Sequence, residues 1–143
     1  PCEGARFVVV ESLYSMDGDE APLDALADAC AAGGAALIVD DAHAVGVRGT
    51  RGSGLIEERG VGDRVFLSIN TCGKALGVGG AFVAGPDWAI QYLVQCARPF
   101  IFSTAAPPAM AAALEASLDV LRDEPDRRAR LRGLARYAER RAK

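Results

Sequence analysis

The 143-residue chain has one histidine, one tryptophan and only 6% aromatic residues. Its four cysteines (Cys2, Cys30, Cys72, Cys96) are widely spaced, and without a C-x-x-C pair neither a zinc ribbon nor a dithiol redox motif is expected. Asp40, Asp41 and His43 are the nearest thing to a metal cluster, but a second histidine or a suitably spaced acid is missing, so no metal is expected there. Basic residues are not in excess: Lys+Arg number 16 against 19 Asp+Glu, a net charge of -3. This balance argues against nucleic acid or an anionic membrane as partner, since both call for a basic face. The apolar runs are interrupted by Gly, Asp or Arg and are too short to cross a bilayer. No basic start followed by an apolar core marks a signal peptide, so a cytoplasmic protein with reduced thiols is expected. There is no internal repeat or low-complexity stretch. The chain opens at Pro1 close to an apolar run and closes on Arg140-Arg141-Ala142-Lys143 inside a helical pattern, so it reads as a fragment of a longer protein.

Half the residues are hydrophobic, enough for one domain-sized core. Phe7-Val8-Val9-Val10 is a β-branched apolar run of the kind buried on both faces in parallel sheets. A loop through Ser15-Met16-Asp17-Gly18-Asp19 follows, and Pro22 sits near the first turn of a helix. Leu23, Leu26, Ala27 and Cys30 form that helix's apolar stripe, Gly33-Gly34 closes it, and Ala36-Leu37-Ile38-Val39 is a second buried strand. Strand, helix and strand with short links predict a βαβ unit with parallel strands. A Gly-rich segment leads to a short helix near Leu55–Arg59, and Arg64–Ile69 is the third predicted strand. Ala81–Ala84 follows too closely for a helical crossover and is expected antiparallel to it. Asp87–Ala97 is a predicted helix with Ile90, Leu93, Val94 and Ala97 on one face. Pro107-Pro108 open a longer one with Met110, Ala113, Leu114, Leu118 and Leu121 inward. Beyond Pro125, Leu131, Leu134, Ala135 and Ala138 begin another, whose arginines read as a solvated face.

Polar clusters fall just beyond the carboxyl ends of the predicted parallel strands: Glu11–Ser15, Asp40–His43 and Thr71–Lys74. In open α/β sheets that rim is where ligands bind. On the residues alone, Asp40 and His43 admit a capping aspartate with an incidental histidine, or the disfavoured metal set with Asp41, or a site shared with Lys74. In the last reading a lysine in a loop of small residues forms an imine with a flat cofactor, and a carboxylate keeps a pyridine nitrogen protonated. Small hydroxyls would take a phosphate, and the set together describes a pyridoxal 5'-phosphate (PLP) site. Gly73-Lys74 is not a phosphate-binding loop, because Ser68 and Ala75 stand where that motif needs Gly and Ser or Thr. Gly77-Val78-Gly79-Gly80 leads into a strand rather than a helix, so it is no dinucleotide fingerprint. A non-catalytic α/β nucleotide-binding module is thereby the weaker alternative, as is a non-catalytic relative.

The segments Glu11-Ser12-Leu13-Tyr14-Ser15-Met16-Asp17-Gly18-Asp19, Asp40-Asp41-Ala42-His43-Ala44-Val45-Gly46 and Thr71-Cys72-Gly73-Lys74-Ala75-Leu76-Gly77 together resemble the α-oxoamine synthases, fold-type I PLP enzymes. The resemblance runs over nearly all of residues 7–122 in family order. It implies an α/β fold, part of a large PLP-binding domain, with a mostly parallel sheet, flanking helices and one antiparallel strand. Residues 1–122 would belong to that domain, and 123–143 to a helix leading toward a C-terminal small domain.

The resemblance also implies roles. Lys74 would carry PLP covalently and move protons at the substrate's α-carbon. Asp40 would pair with the ring nitrogen and His43 with the phenolic oxygen. Thr71 would touch the phosphate, Ser15 would lie beside the ring, and Thr104, with Ser103 as a companion, would reach a phosphate in the partner subunit of a homodimer. On sequence alone Thr104 is equally a helix N-terminus hydroxyl. The implied reaction is a decarboxylative condensation of an amino acid with an acyl-CoA or acyl-carrier-protein thioester. Asp40-Asp41-Ala42-His43, Gly77–Val83 and Ala97–Thr104 most resemble the branch that joins L-alanine to a pimeloyl thioester in biotin biosynthesis; the runner-up branches use glycine or serine. The family's ring-stacking histidine and carboxylate-binding arginine have no match here, so these residues alone are not expected to turn over.

Overall fold

The computed structural model describes residues 4–141, with side chains through 133. Strand β1 (Arg6–Glu11), helix α1 (Leu23–Gly33) and strand β2 (Ala35–Asp40) come first, then the short helix α2 (Leu55–Arg59). Strands β3 (Leu67–Thr71) and β4 (Ala81–Ala84) precede the helices α3 (Asp87–Cys96), α4 (Arg98–Ile101), α5 (Pro108–Asp123) and α6 (Pro125–Arg141). The strands form one sheet in the order β1-β2-β3-β4. β1, β2 and β3 run parallel and β4 is antiparallel to β3, as the link lengths predict.

The first core forms where α1 and α2 lie on the sheet. Leu23, Ala27 and Cys30, spaced on one helical face, meet Leu37 and Val39 of β2, with Leu55 and Val61 closing the end. Gly34, in the left-handed region at φ 61°, ends α1 and turns the chain straight into β2. A second cluster joins Val45, Cys72, Leu76 and Leu121, bringing α5 under the loop that follows β3.

The structure corrects several sequence expectations. β3 begins at Leu67 rather than Arg64, because Gly62–Arg64 form a 3₁₀ turn and the Arg64 guanidinium bridges Asp24 (2.8 Å) and Asp28 (2.7 Å) on α1. β1 is not covered on both faces: Val8 and Val10 pack on the core, whereas Phe7 (54% exposed) and Val9 (65%) stand on an open face. The four-residue α4 is too short to leave a periodic signal. α6 starts at Pro125, six residues before Leu131, since a proline in the first helical turn has no N–H to satisfy. On α3 Ala89 is the buried residue and Val94 is exposed. The inward stripe of α5 is Met110, Leu114, Ser117 and Leu121, while Ala113 and Leu118 face outward. The expected apolar residues Leu134, Ala135 and Ala138 lie outside the residues whose side chains are described.

Candidate functional site

Three strands deliver their last residues to one rim: Glu11 from β1, Asp40 from β2 and Thr71 from β3. Glu11 pairs with Asp40, and Asp40 with Ile69. Side chains alternate along a strand, so Asp40 and Thr71, two residues beyond Ile69, share a sheet face. It is the open face that also carries Val9. The Asp40 carboxylate is half-buried, and its Oδ1 accepts the Ala42 N–H at 3.0 Å, which fixes its direction.

Asp41 goes the other way. Fully buried, it accepts hydrogen bonds from the Ser12 hydroxyl and from the backbone N–H groups of Leu55 (3.2 Å) and Ile56 (3.5 Å). It therefore serves the first turn of α2, whose N–H groups have no intrahelical partner. Burial pushes its carboxyl above the ordinary range, and the hydrogen bonds from Ser12, Leu55 and Ile56 oppose that rise. The acidic pair is thus split between a structural aspartate and one on the rim.

Lys74 stands in the loop between β3 and β4. Cys72 N–H donates to Gly80 O (2.9 Å), Val78 N–H to Cys72 O (2.9 Å) and Gly77 N–H to Lys74 O (3.0 Å), closing the segment into a compact turn. Cys72 and Leu76 anchor it from below, and burial raises the Cys72 thiol. The Lys74 side chain is exposed, and its Nζ donates to Thr71 Oγ1 at 3.1 Å. His43 is half-buried in the turn after β2. That turn touches the lysine loop: Gly46 has φ +86°, and a Cβ on it would lie 2.6 Å from the Ala75 Cβ.

Lys74 and Thr71 are therefore in contact, Asp40 shares their face on the adjacent strand, and the His43 turn abuts their loop. Ser15 is exposed in the turn after β1, and Thr104 is exposed between α4 and α5. Among the described residues no side-chain hydrogen bond links either to the rest of the set. Thr104 does not cap α5, whose N-cap is Pro107 without a side-chain bond. The Ser103 hydroxyl donates to the Pro99 carbonyl, so its bond is local. An exposed amine, a hydroxyl beside it and a carboxylate on the same face fit a flat, phosphorylated, aldehyde-bearing heterocycle. A cavity of about 580 Å³ lies elsewhere, lined by Asn70, Phe82 and Leu121 among others, on the face opposite Thr71. Its lining includes none of these residues.

Sheet order and rim define an α/β domain whose parallel strands present a lysine loop, closed by an antiparallel strand. The family model for class I and II aminotransferases matches residues 1–140, and the chain belongs to that family. Among similar proteins, 8-amino-7-oxononanoate synthase of Anaeromyxobacter dehalogenans strain 2CP-C is 53% identical over 126 residues, covering 88% of this chain and 32% of the relative. Its counterpart in Pseudomonas putida strain F1 is 52% identical over 134 residues, covering 93% and 34%. Serine palmitoyltransferase of S. paucimobilis, solved with a bound PLP–myriocin aldimine, superposes with a TM-score of 0.88 at 33% identity, covering 95% of this chain and 34% of that one. The 8-amino-7-oxononanoate synthase of Francisella tularensis gives 0.73 at 34% identity, covering 90% and 38%. The chain spans about a third of the length of the curated relatives it matches. The expected resemblance and α/β fold both hold.

Proposed function

We propose that the chain is the lysine-bearing part of a PLP-dependent acyltransferase that condenses L-alanine with a pimeloyl thioester, on CoA or a carrier protein, in biotin biosynthesis. The observation that carries this reading is the placement of Asp40 and the Thr71–Lys74 pair on one sheet face at adjacent strand ends. Bound PLP supplies an electron sink for negative charge at the amino acid's α-carbon. Lys74 would anchor the cofactor, and its amine would take and return the proton at the amino acid's α-carbon. The Asp40 carboxylate would hold the proton on the ring nitrogen, and the half-buried His43 imidazole would pair with the phenolic oxygen. Thr71 would donate its hydroxyl to the phosphate, and Ser15 would flank the ring. Thr104 serves the phosphate of a partner subunit in a homodimer, in keeping with its exposure between α4 and α5 and with the absence, among the described residues, of a side-chain hydrogen bond to this chain's own set. The dimer works in the cytoplasm. Residues 1–122 form part of its cofactor-binding domain and 123–143 lead to a smaller one. The identity of 53% and 52% to the oxononanoate synthases of Anaeromyxobacter dehalogenans and Pseudomonas putida supports the choice of branch.

A second reading, a branch that takes serine, rests on the higher TM-score with serine palmitoyltransferase. One experiment decides both. The full-length parent is loaded with PLP, its absorbance is recorded between about 320 and 450 nm, and L-alanine, glycine and L-serine are added separately. A band that responds to L-alanine and is lost or altered in Lys74→Ala is the expected result. A response to L-serine alone selects the second reading, and no band at all removes the catalytic assignment.

A further inference from the structure

We propose that Ser117, on the inward face of α5, is a positioning residue for Lys74. This rests on the reading of Lys74 as the cofactor lysine. The inward stripe of α5 runs Met110, Leu114, Ser117, Leu121, and Ser117 is its one polar member. Its Oγ donates to the carbonyl of Leu76 at 2.8 Å across 41 sequence positions. Among the described residues no backbone N–H reaches that carbonyl. The lysine loop makes its own turn through the Lys74 and Cys72 carbonyls, which leaves Leu76 O pointing at α5. A carbonyl held against a helix needs a donor, and an apolar residue at 117 would leave it unpaired.

The same helix meets the loop at further points. Met110 Cε lies where a Cβ on Gly79 would be 3.1 Å away, and Leu121 packs with Leu76 and Cys72. From the other side Gly46 admits the Ala75 Cβ. The Lys74–Ala75–Leu76 backbone is thus held between the His43 turn and α5, with Ser117 providing its directional tie to the helix. Apolar contacts alone let such a turn rock about its anchors. The hydroxyl fixes the peptide plane two residues after Lys74, and with it the direction in which the amine leaves the backbone. Small errors in the aim of a reacting group cost rate out of proportion to their size.

The test uses the full-length parent with Ser117→Thr and Ser117→Val, a pair of equal shape that differs in the hydroxyl. Without cofactor, amide exchange of residues 72–80 is followed by mass spectrometry. With PLP loaded, the pH at which its absorbance band titrates is measured, along with kcat and KM for the amino acid. The Val variant is expected to exchange about 5-fold faster in residues 72–80, the loss of one hydrogen bond, with β1 and β2 unchanged. Its band titrates at a shifted pH, and kcat falls about 10-fold or more with little change in KM. The Thr variant stays close to wild type. Equal exchange and equal titration in the two variants overturns the proposal, as does faster exchange spread evenly over the sheet, which marks a purely structural residue. If the wild-type parent shows no PLP band, the reading of Lys74 has failed and the positioning role with it. A band in wild type with no difference between the variants fails the role of Ser117 alone.

Discussion

Adjacent aspartates with opposite duties are the clearest lesson at the residue scale. Asp40 ends on the rim and Asp41 is buried beneath it, accepting three hydrogen bonds that tie β1 and the start of α2 to the end of β2. Removing Asp41 strands buried donors, so Asp41→Ala should lose about 2–4 kcal/mol in urea unfolding. Asp41→Asn keeps an acceptor oxygen for Ser12 and Leu55 and should lose about 1 kcal/mol or less. Burial already raises the Asp41 carboxyl, so ionising it as pH rises costs folded-state stability, and the Asn variant lacks that dependence. An Asn variant as damaged as the Ala variant would show that the charge itself matters. Gly54 belongs to the same arrangement: at φ +104° a Cβ there would overlap the Asp41 carboxylate, so Gly54→Ala should be at least as harmful as Asp41→Asn. Sequence alone placed Lys74, Thr71, Asp40 and His43 at strand ends, because strand runs and chemistry-bearing residues are both local signals. Asp41's grip on residues 14 positions away, and the polar Ser117 within an apolar helical stripe, are long-range contacts that no spacing rule reports.

The element with the most concentrated polar tie is α2. Its Glu57 accepts from Thr50 Oγ1 (2.8 Å), Arg51 N (3.0 Å) and Ser53 N (2.9 Å), and Glu58 accepts from Gly49 N (2.9 Å). Two carboxylates therefore gather the Gly-rich segment between the His43 turn and α2. Burial alone raises the Glu57 carboxyl, but the hydrogen bonds from Thr50, Ser53 and Arg51 outweigh it and bring it down to about 2. A depressed carboxylate contributes stability above its unfolded value near 4.5, and that contribution is lost as pH falls toward about 2. Glu57→Gln should flatten the acid limb of the stability curve in that window, measured by thermal unfolding between pH 5 and pH 2, and an unchanged limb would remove Glu57 from the explanation. Elements with a strong local pattern, such as the apolar stripe of α1 and the unbroken apolar run of β2, were legible in advance. The start of β3 was not, since an arginine turned toward α1 looks the same in sequence as one inside a strand. The face of α5 was misread for a related reason: alanines such as Ala113 fit either side of a helix, and a serine was not expected to be the inward residue.

At the scale of the whole molecule, the sheet is clothed unevenly. Phe7, Val9 and Val83 (40% exposed) leave the face that carries Lys74 largely open, and Phe7, Phe66 and Trp88 stack in a string of tilted rings 6.5 and 5.5 Å apart. The 143-residue chain by itself should bind a hydrophobic dye through this face. Val9→Lys should weaken that binding while changing unfolding free energy by less than about 0.5 kcal/mol, as expected of a surface position. A loss of several kcal/mol would instead make Val9 part of the core. One further consequence concerns time. The hydroxyl that ties down the lysine loop comes 41 residues after the carbonyl it holds. At about 5–20 residues per second a ribosome takes about 2–8 s to cover that gap. Through those seconds the loop of residues 72–80 is without its tie to α5, and its final geometry arrives only once that helix has been made and docked.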